Sequence, residues 1–223
     1  MAVRRAWMSW SSGKDSTFAL HVERQDPSIE VVGLLVTMDA AVDRVAVHSV
    51  RRALLEEQAD RLGLPLHLVE IPSPCPNGVY EARMTAAWAV ARAADVQCVV
   101  FGDLFLADVR AYREHTLAGT GLTPLFPLWG RPTAVLAREM LDLGLRAVLT
   151  CVDPTRVPAS YAGRCFDRAL LDELPPGVDP CGENGEFHTF VWDGPGFWAP
   201  IPVDTGEVLE REGFVYCDVH PAR

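Results

Sequence analysis

Up to about residue 152, apolar runs of strand length alternate with segments of helical periodicity. Residues 6–11 read as a strand and 15–24 as the helix that follows it. Val31-Val32-Gly33-Leu34-Leu35-Val36 forms a continuous apolar run within 30–38, the pattern of a strand buried on both faces. Val50, Leu54, Leu55, Ala59 and Leu62 recur at helical spacing, and Gly63 stops that helix (50–62) ahead of a strand over 65–71. The pattern continues with a helix over 79–94, a short buried strand over 98–102 and a charged helix over 107–117. A helix over 133–143, stopped by Gly144, then precedes a strand over 146–152. Strands alternating with helices predict an α/β fold built on a parallel sheet.

Beyond this point the texture changes. Pro154, Pro158, Pro175, Pro176 and Pro180 surround one helix, 166–174, and three strand-like pieces follow at 187–192, 198–203 and 214–219. The expected organisation is a principal part, 1–152, carrying a small mainly β annex, 153–223. No stretch approaches the roughly 18 apolar residues of a membrane span, and the run after Arg4 and Arg5 is too short and polar for an export segment. A cytoplasmic location is therefore expected. The cysteines (Cys75, Cys98, Cys151, Cys165, Cys181, Cys217) include no C-x-x-C pair, so spacing signals neither zinc nor a redox dithiol. A formal charge of −10 disfavours a broad nucleic-acid footprint and favours small molecules as partners.

Charge usage sharpens the picture at one position. Of 20 basic residues, Lys14 is the single lysine and the rest are arginine. It lies in Ser11-Ser12-Gly13-Lys14-Asp15-Ser16, between the first strand and its helix. A helix N-terminus offers unpaired N–H groups and partial positive charge, so it attracts phosphate. Gly13 allows close backbone approach, the Ser11 and Ser16 hydroxyls can donate, and Asp15 can cap the turn or reach a metal. An ordinary capped turn has the same composition. The loop matches neither G-x-x-x-x-G-K-[ST] nor G-x-G-x-x-G.

The segment resembles the PP-loop, S-G-G-x-D-S, of ATP pyrophosphatases in the adenine nucleotide alpha hydrolase superfamily. Within that superfamily the chain resembles the diphthine ammonia ligase family. Further residues carry the likeness: Val47-His48, Phe101-Gly102-Asp103, Pro127-Leu128-Trp129 and Gly182-Glu183-Asn184-Gly185-Glu186-Phe187-His188-Thr189. The resemblance implies a Rossmann-like five-stranded parallel sheet of order 3-2-1-4-5, with ATP across the carboxyl ends of strands one, two and four. Val36, Thr37 and Met38 would approach adenine through their backbone, with His48, Gly102 and Asp103 beside the same crevice. Ser12 stands where the family pattern has glycine, so a positive φ there would strain it. The C-terminal motif reads G-E-N-G-E-F-H-T, where archaeal-type members come closer to G-E-G-G-E-F-E-T.

The activity this implies is ATP-dependent amide formation: a carboxylate is adenylated with loss of pyrophosphate, and ammonia or an amine then displaces AMP. Lys14 and Mg²⁺ would stabilise the departing charge, and Glu183, Glu186 and His188 would serve the chemistry, with either glutamate as base. Gly182, Asn184, Gly185 and Thr189 would help hold the acceptor. In the implied family that acceptor is a modified histidine on a translation elongation factor, while the arginine bias leaves a different carboxylate open. A homodimer is also allowed. The rival readings are a PP-loop tRNA-modifying enzyme and a non-catalytic adenine-nucleotide module. Arg110, Tyr112 and Arg113 on the 107–117 helix suit either an anionic substrate or an exposed face. His115 reads as a surface group, and Trp129, Trp192 and Trp198 read as packing.

Overall fold

A computed structural model describes residues 2–222. The N-terminal portion runs β1 (Arg4–Ser9), α1 (Lys14–Glu23), β2 (Ile29–Asp39), β3 (Arg44–Val45), α2 (Arg52–Leu62), β4 (Leu66–Ile71), α3 (Asn77–Ala93), β5 (Cys98–Val100), α4 (Ala107–Leu117) and β6 (Thr123–Leu125). Its parallel strands lie in the order β4-β2-β1-β5-β6, and β3 pairs antiparallel with the end of β2. Counted over the parallel strands this is the expected 3-2-1-4-5. The fifth strand is β6, which the apolar pattern did not reveal, and not residues 146–152.

Strand alternation divides the core between the two faces of this sheet. Ala6, Met8, Leu34, Val36, Cys98 and Val100 pack on one side with α1 and α2. Trp7, Leu35, Val69 and Val99 pack on the other, against Met84, Trp88 and Ala91 of α3 and Leu117 of α4. Both faces are covered, which is why the strands read as unbroken apolar runs.

The remainder comprises α5 (Thr133–Asp142), β7 (Arg146–Val152), β8 (Cys165–Phe166), α6 (Arg168–Glu173), β9 (Phe187–Asp193), β10 (Val203–Arg211) and β11 (Phe214–Pro221). These strands form a second, antiparallel sheet of order β10-β11-β7-β8, with β9 also pairing β7. β7, expected to close the first part, is thus the centre of the second sheet. An apolar run suits the middle of either kind of sheet, so the pattern alone could not assign it. Residues 198–202 are also not strand; that piece begins at Val203 and continues to Arg211 with its side chains mostly exposed.

The two sheets are joined where the chemistry would be. The Val191 N–H of β9 donates to the Ser12 carbonyl at 3.0 Å. Gln58 of α2, fully buried, donates from Nε2 to the carbonyls of Ser12 (3.1 Å) and Val191 (2.6 Å) and accepts from Trp10 Nε1 (3.0 Å). At the far end Asp218 of β11 takes Arg44 at 2.9 Å and Arg51 at 2.5 Å. No helix among the described residues is long and apolar enough to cross a membrane.

Candidate active site

A cavity of about 450 Å³ opens at the carboxyl ends of β1, β2 and β5. On one side Leu35, Thr37 and Ala46 line it, on the other Phe101, Gly102 and Asp103, and the loop from Ser11 to Ser16 lies between them. Ser11 Oγ and Ser16 Oγ are 3.1 Å apart, and Ser16 and Thr17 hydroxyls both donate to the Gly13 carbonyl, at 3.0 and 2.9 Å. These short-range bonds hold the turn before any ligand arrives. Gly102 is required by proximity: a Cβ there would meet the Asp15 and Ser16 backbone at 3.0 Å.

Ser12 has φ of 69°, and its buried hydroxyl has no partner. The strain expected from serine at a glycine position is therefore present. Ser12→Gly relieves it and removes an unsatisfied hydroxyl, so it is expected to stabilise the fold by about 1 kcal/mol after the added chain entropy of glycine. A denaturation midpoint that does not rise in this variant would contradict the strained loop.

The second sheet completes the cavity. Thr189 Oγ1 accepts from the Lys14 N–H at 3.1 Å, acting as the cap that α1 lacks in its own sequence. Lys14 is only 2% exposed. Its ammonium donates to Asp15 Oδ2 at 2.8 Å and to the Cys181 carbonyl, and it lies 5.7 and 5.3 Å from the ring centres of Phe166 and Phe187. The lone lysine thus binds the loop to the C-terminal segment. That is a correction to its expected place in a loop outside the core.

Glu183 Oε1 accepts from the Leu104 N–H at 2.8 Å, while its own N–H donates to Asp179 at 2.9 Å. Burial lifts its carboxyl to about 7, the Leu104 N–H opposing and the charges of Asp15 and Asp103 adding to the rise. Asp15 and Asp103 are also raised, chiefly by burial, with Lys14 and Arg113 respectively opposing. Asp15 Oδ1 and Asp103 Oδ2 have no hydrogen-bond partner.

The rings of His48 and His188 lie 4.7 Å apart between centres, tilted by 45° to one another. Burial drives His48 down to about 4 and His188 to about 3, with Lys14 lowering both and the Thr189 carbonyl partly supporting His48. Both rings are neutral at pH 7. The Nδ1 of His48 faces the Thr189 carbonyl at 3.0 Å; a carbonyl only accepts, so that nitrogen carries the proton and Nε2 is bare.

Residues 4–124 match the family described as Diphthamide synthase N-terminal domain, and residues 132–222 match Diphthamide synthase C-terminal domain. The chain belongs to the diphthamide synthase family. A relative from Danio rerio named diphthine–ammonia ligase is 30% identical over 219 residues, covering 89% of this chain and 86% of that protein. The human protein of that name is 33% identical over 120 residues, which is 51% of this chain and 45% of the human one. A Schizosaccharomyces pombe relative of that name is 25% identical over 225 residues, 93% of this chain but 37% of its own length.

The residues singled out in the sequence divide by placement. Ser11, Lys14, Asp15, Ser16, Thr37, His48, Gly102, Asp103, Gly182, Glu183, Gly185, His188 and Thr189 line the cavity. Ser12 and Gly13 lie behind it as the loop's support, Gly13 pressed so close to His48 that a Cβ would sit 2.7 Å from the ring. Val36 and Met38 are fully buried on the α1 side of the sheet, because alternation gives the cavity to Leu35 and Thr37.

Glu186 and Asn184 do not line the cavity either. Glu186 is fully buried. Its Oε1 accepts from Asn184 at 3.0 Å, the Asp179 N–H at 3.1 Å and Arg156 at 3.3 Å. Burial alone would raise its carboxyl, but these donors outweigh that and hold it below the usual range. It serves as the knot of the C-terminal loop, which leaves Glu183 as the carboxylate facing the cavity. Sequence reasoning missed Gln58, whose only signal was a polar residue on an otherwise apolar helix face, and Tyr80 and Leu106, which carried none.

Proposed function

We propose that this chain is an ATP-dependent amide-forming ligase that works through an acyl-adenylate. The observation that supports this best is the convergence of the two sheets: β9 bonds to the phosphate loop, so Glu183 and His188 face the same cavity as the N-terminus of α1. Adenine fits against Leu35 and Thr37, and the β- and γ-phosphoryl groups fit the helix N-terminus and the Ser11 and Ser16 hydroxyls. We take the two functional parts to divide between β6 and α5, in line with the separate family matches on either side.

Among the described residues no three His, Cys, Asp or Glu side chains gather into a metal cluster. Mg²⁺ at a nucleotide needs only one or two carboxylates besides the phosphates. Asp15 Oδ1, which has no hydrogen-bond partner, and the Asp103 carboxylate, whose Oδ2 stands 3.7 Å from Arg113 Nε, would hold it, and the ion would supply charge neutralisation for the departing pyrophosphate.

In the first step a carboxylate oxygen bonds to the α-phosphorus as the bond to pyrophosphate breaks. In the second the nitrogen lone pair of ammonia attacks the acyl carbon and the bond to AMP breaks. The proton released from nitrogen passes to Glu183, whose carboxyl near 7 suits a base at neutral pH. The bare Nε2 of His48 and the neutral His188 add acceptors without placing a cation against ammonium. We take ammonia as the nitrogen donor and a diphthine-type carboxylate, borne on a protein, as the acceptor class, following the names of the relatives. We place the chain in the cytoplasm, consistent with six free cysteines.

Incubation with ATP, Mg²⁺, ammonium and a cell extract as the source of carboxylates tests this reading. AMP, pyrophosphate and a new amide by mass spectrometry are expected. ADP with inorganic phosphate would overturn attack at the α-phosphorus.

A further inference from the structure

Ser12 holds a conformation that serine alone would not choose, with φ at 69° and a buried hydroxyl that has no partner. Such a residue persists only where its surroundings over-determine it. Here two donors converge on the Ser12 carbonyl: the Val191 N–H of β9 at 3.0 Å and Gln58 Nε2 of α2 at 3.1 Å. Chemistry fixes which way the Gln58 amide faces. The Trp10 indole N–H only donates, so it takes Oε1 at 3.0 Å, and both N–H bonds of Nε2 are left for the carbonyls of Ser12 and Val191.

This contact reaches the cavity through one peptide unit. A trans peptide is planar, with its C=O and N–H pointing in opposite directions. Drawing the Ser12 carbonyl toward α2 and β9 therefore turns the Gly13 N–H the other way, onto Ser11 Oγ at 3.3 Å. Ser11 Oγ in turn stands 3.1 Å from Ser16 Oγ, and both serines line the cavity. Gln58 itself is fully buried and does not line it.

We infer that Gln58 is a positioning residue for the polyphosphate. By holding the Ser12 carbonyl, it keeps the Ser12–Gly13 peptide and the Ser11 hydroxyl in the arrangement that receives the phosphoryl groups. The same side chain is bonded to β9, so affinity for phosphate depends on the second sheet being seated against the loop. This role rests on the ligase reading and deepens it, naming the residue through which the C-terminal part governs the nucleotide. Thr189 and the Cys181 carbonyl also cross between the sheets, but they meet the loop at Lys14 and leave Ser12 untouched.

Affinities of the full chain for the α,β-methylene analogue of ATP, for inorganic pyrophosphate and for adenosine, all with Mg²⁺, test the role. Gln58→Met keeps the length of the side chain but cannot donate. It is expected to weaken the ATP analogue and pyrophosphate about tenfold each while leaving adenosine within about twofold. Ser12→Gly adopts a positive φ unaided, so adding it to Gln58→Met is expected to restore most of that loss. Equal weakening of all three ligands would overturn the inference. So would a lowered melting temperature with unchanged affinities, or a loss that Ser12→Gly does not rescue. Should Gln58→Met not fold, amide exchange followed by NMR in the wild type decides instead. Pyrophosphate is expected to slow exchange of the Val191 N–H and adenosine to leave it unchanged; equal exchange with and without pyrophosphate would overturn the inference. Failure of the wild type to bind the ATP analogue at all would sink the ligase reading itself, so the two failures are distinguishable.

Discussion

Replacing Glu183 with glutamine is expected to lower amide formation roughly 100-fold or more, the usual worth of a positioned base. The amide oxygen of the substituted side chain keeps the acceptor for the Leu104 N–H, so the loop should hold its shape. Affinity for ATP and carboxylate-dependent exchange of pyrophosphate into ATP should change little, because both precede the nitrogen attack. The wild-type rate should rise about tenfold per pH unit below 7 and level off above, since the ionised carboxylate is the working base and titrates near 7. The variant should lose that limb. Stability offers an independent check with a definite sign. A carboxyl raised from 4.5 to about 7 binds its proton more tightly in the folded state, so its penalty is absent below about 4.5 and complete above 7. Glu183→Gln should therefore be more stable than the wild type at pH 8, by about 1–2 kcal/mol once partial solvent screening is allowed for. A variant that retained most of its turnover would remove Glu183 from the chemistry.

Lys14→Ala carries the largest expected cost in stability. The ammonium is enclosed by Asp15, the Cys181 carbonyl and two aromatic faces. Removing it leaves the half-buried Asp15 carboxylate without its counter-charge and the Cys181 carbonyl without its donor, which together cost about 3 kcal/mol. For a chain of this size that lowers the melting temperature by roughly 10 °C. Burial opposes the ammonium's charge, but Asp15 leads the contributions that raise its affinity for the proton, so it is charged throughout the neutral range. Thermal melts of the variant without ligand measure the effect directly. An unchanged melting temperature would show that Lys14 does not tie the two sheets together. The sequence singled out this residue but misplaced it: a loop position does not reveal that another strand will close over the loop.

The same limit separates what was legible from what was not. Helix periodicity and stop signals located α2, α3, α4 and α5 to within two residues at either end. The strand-turn-helix around Gly13 was legible because a turn between a strand and the helix that follows it is local in sequence. Strand β6, with Pro124 in the middle of three residues, carries no alternation to read. Whether Arg146–Val152 sits in a parallel or an antiparallel sheet depends on partners that arrive dozens of residues later. The choice between Glu183 and Glu186 had the same origin. Gly182 at φ 67° and Gly185 at φ 86° turn the loop so that one carboxylate faces the cavity and the other faces the Asp179 N–H and Arg156. Gln58 bridges two carbonyls 46 and 133 residues away, a relation no local pattern contains.

A crystal structure of the chain with an α,β-methylene analogue of ATP and Mg²⁺ addresses the central claim most directly. The β- and γ-phosphoryl groups should rest on the N–H groups at the start of α1, with the α-phosphoryl group turned toward Glu183 and His188. A γ-phosphoryl group turned toward Glu183, with the α-phosphoryl group on the loop, would contradict the account.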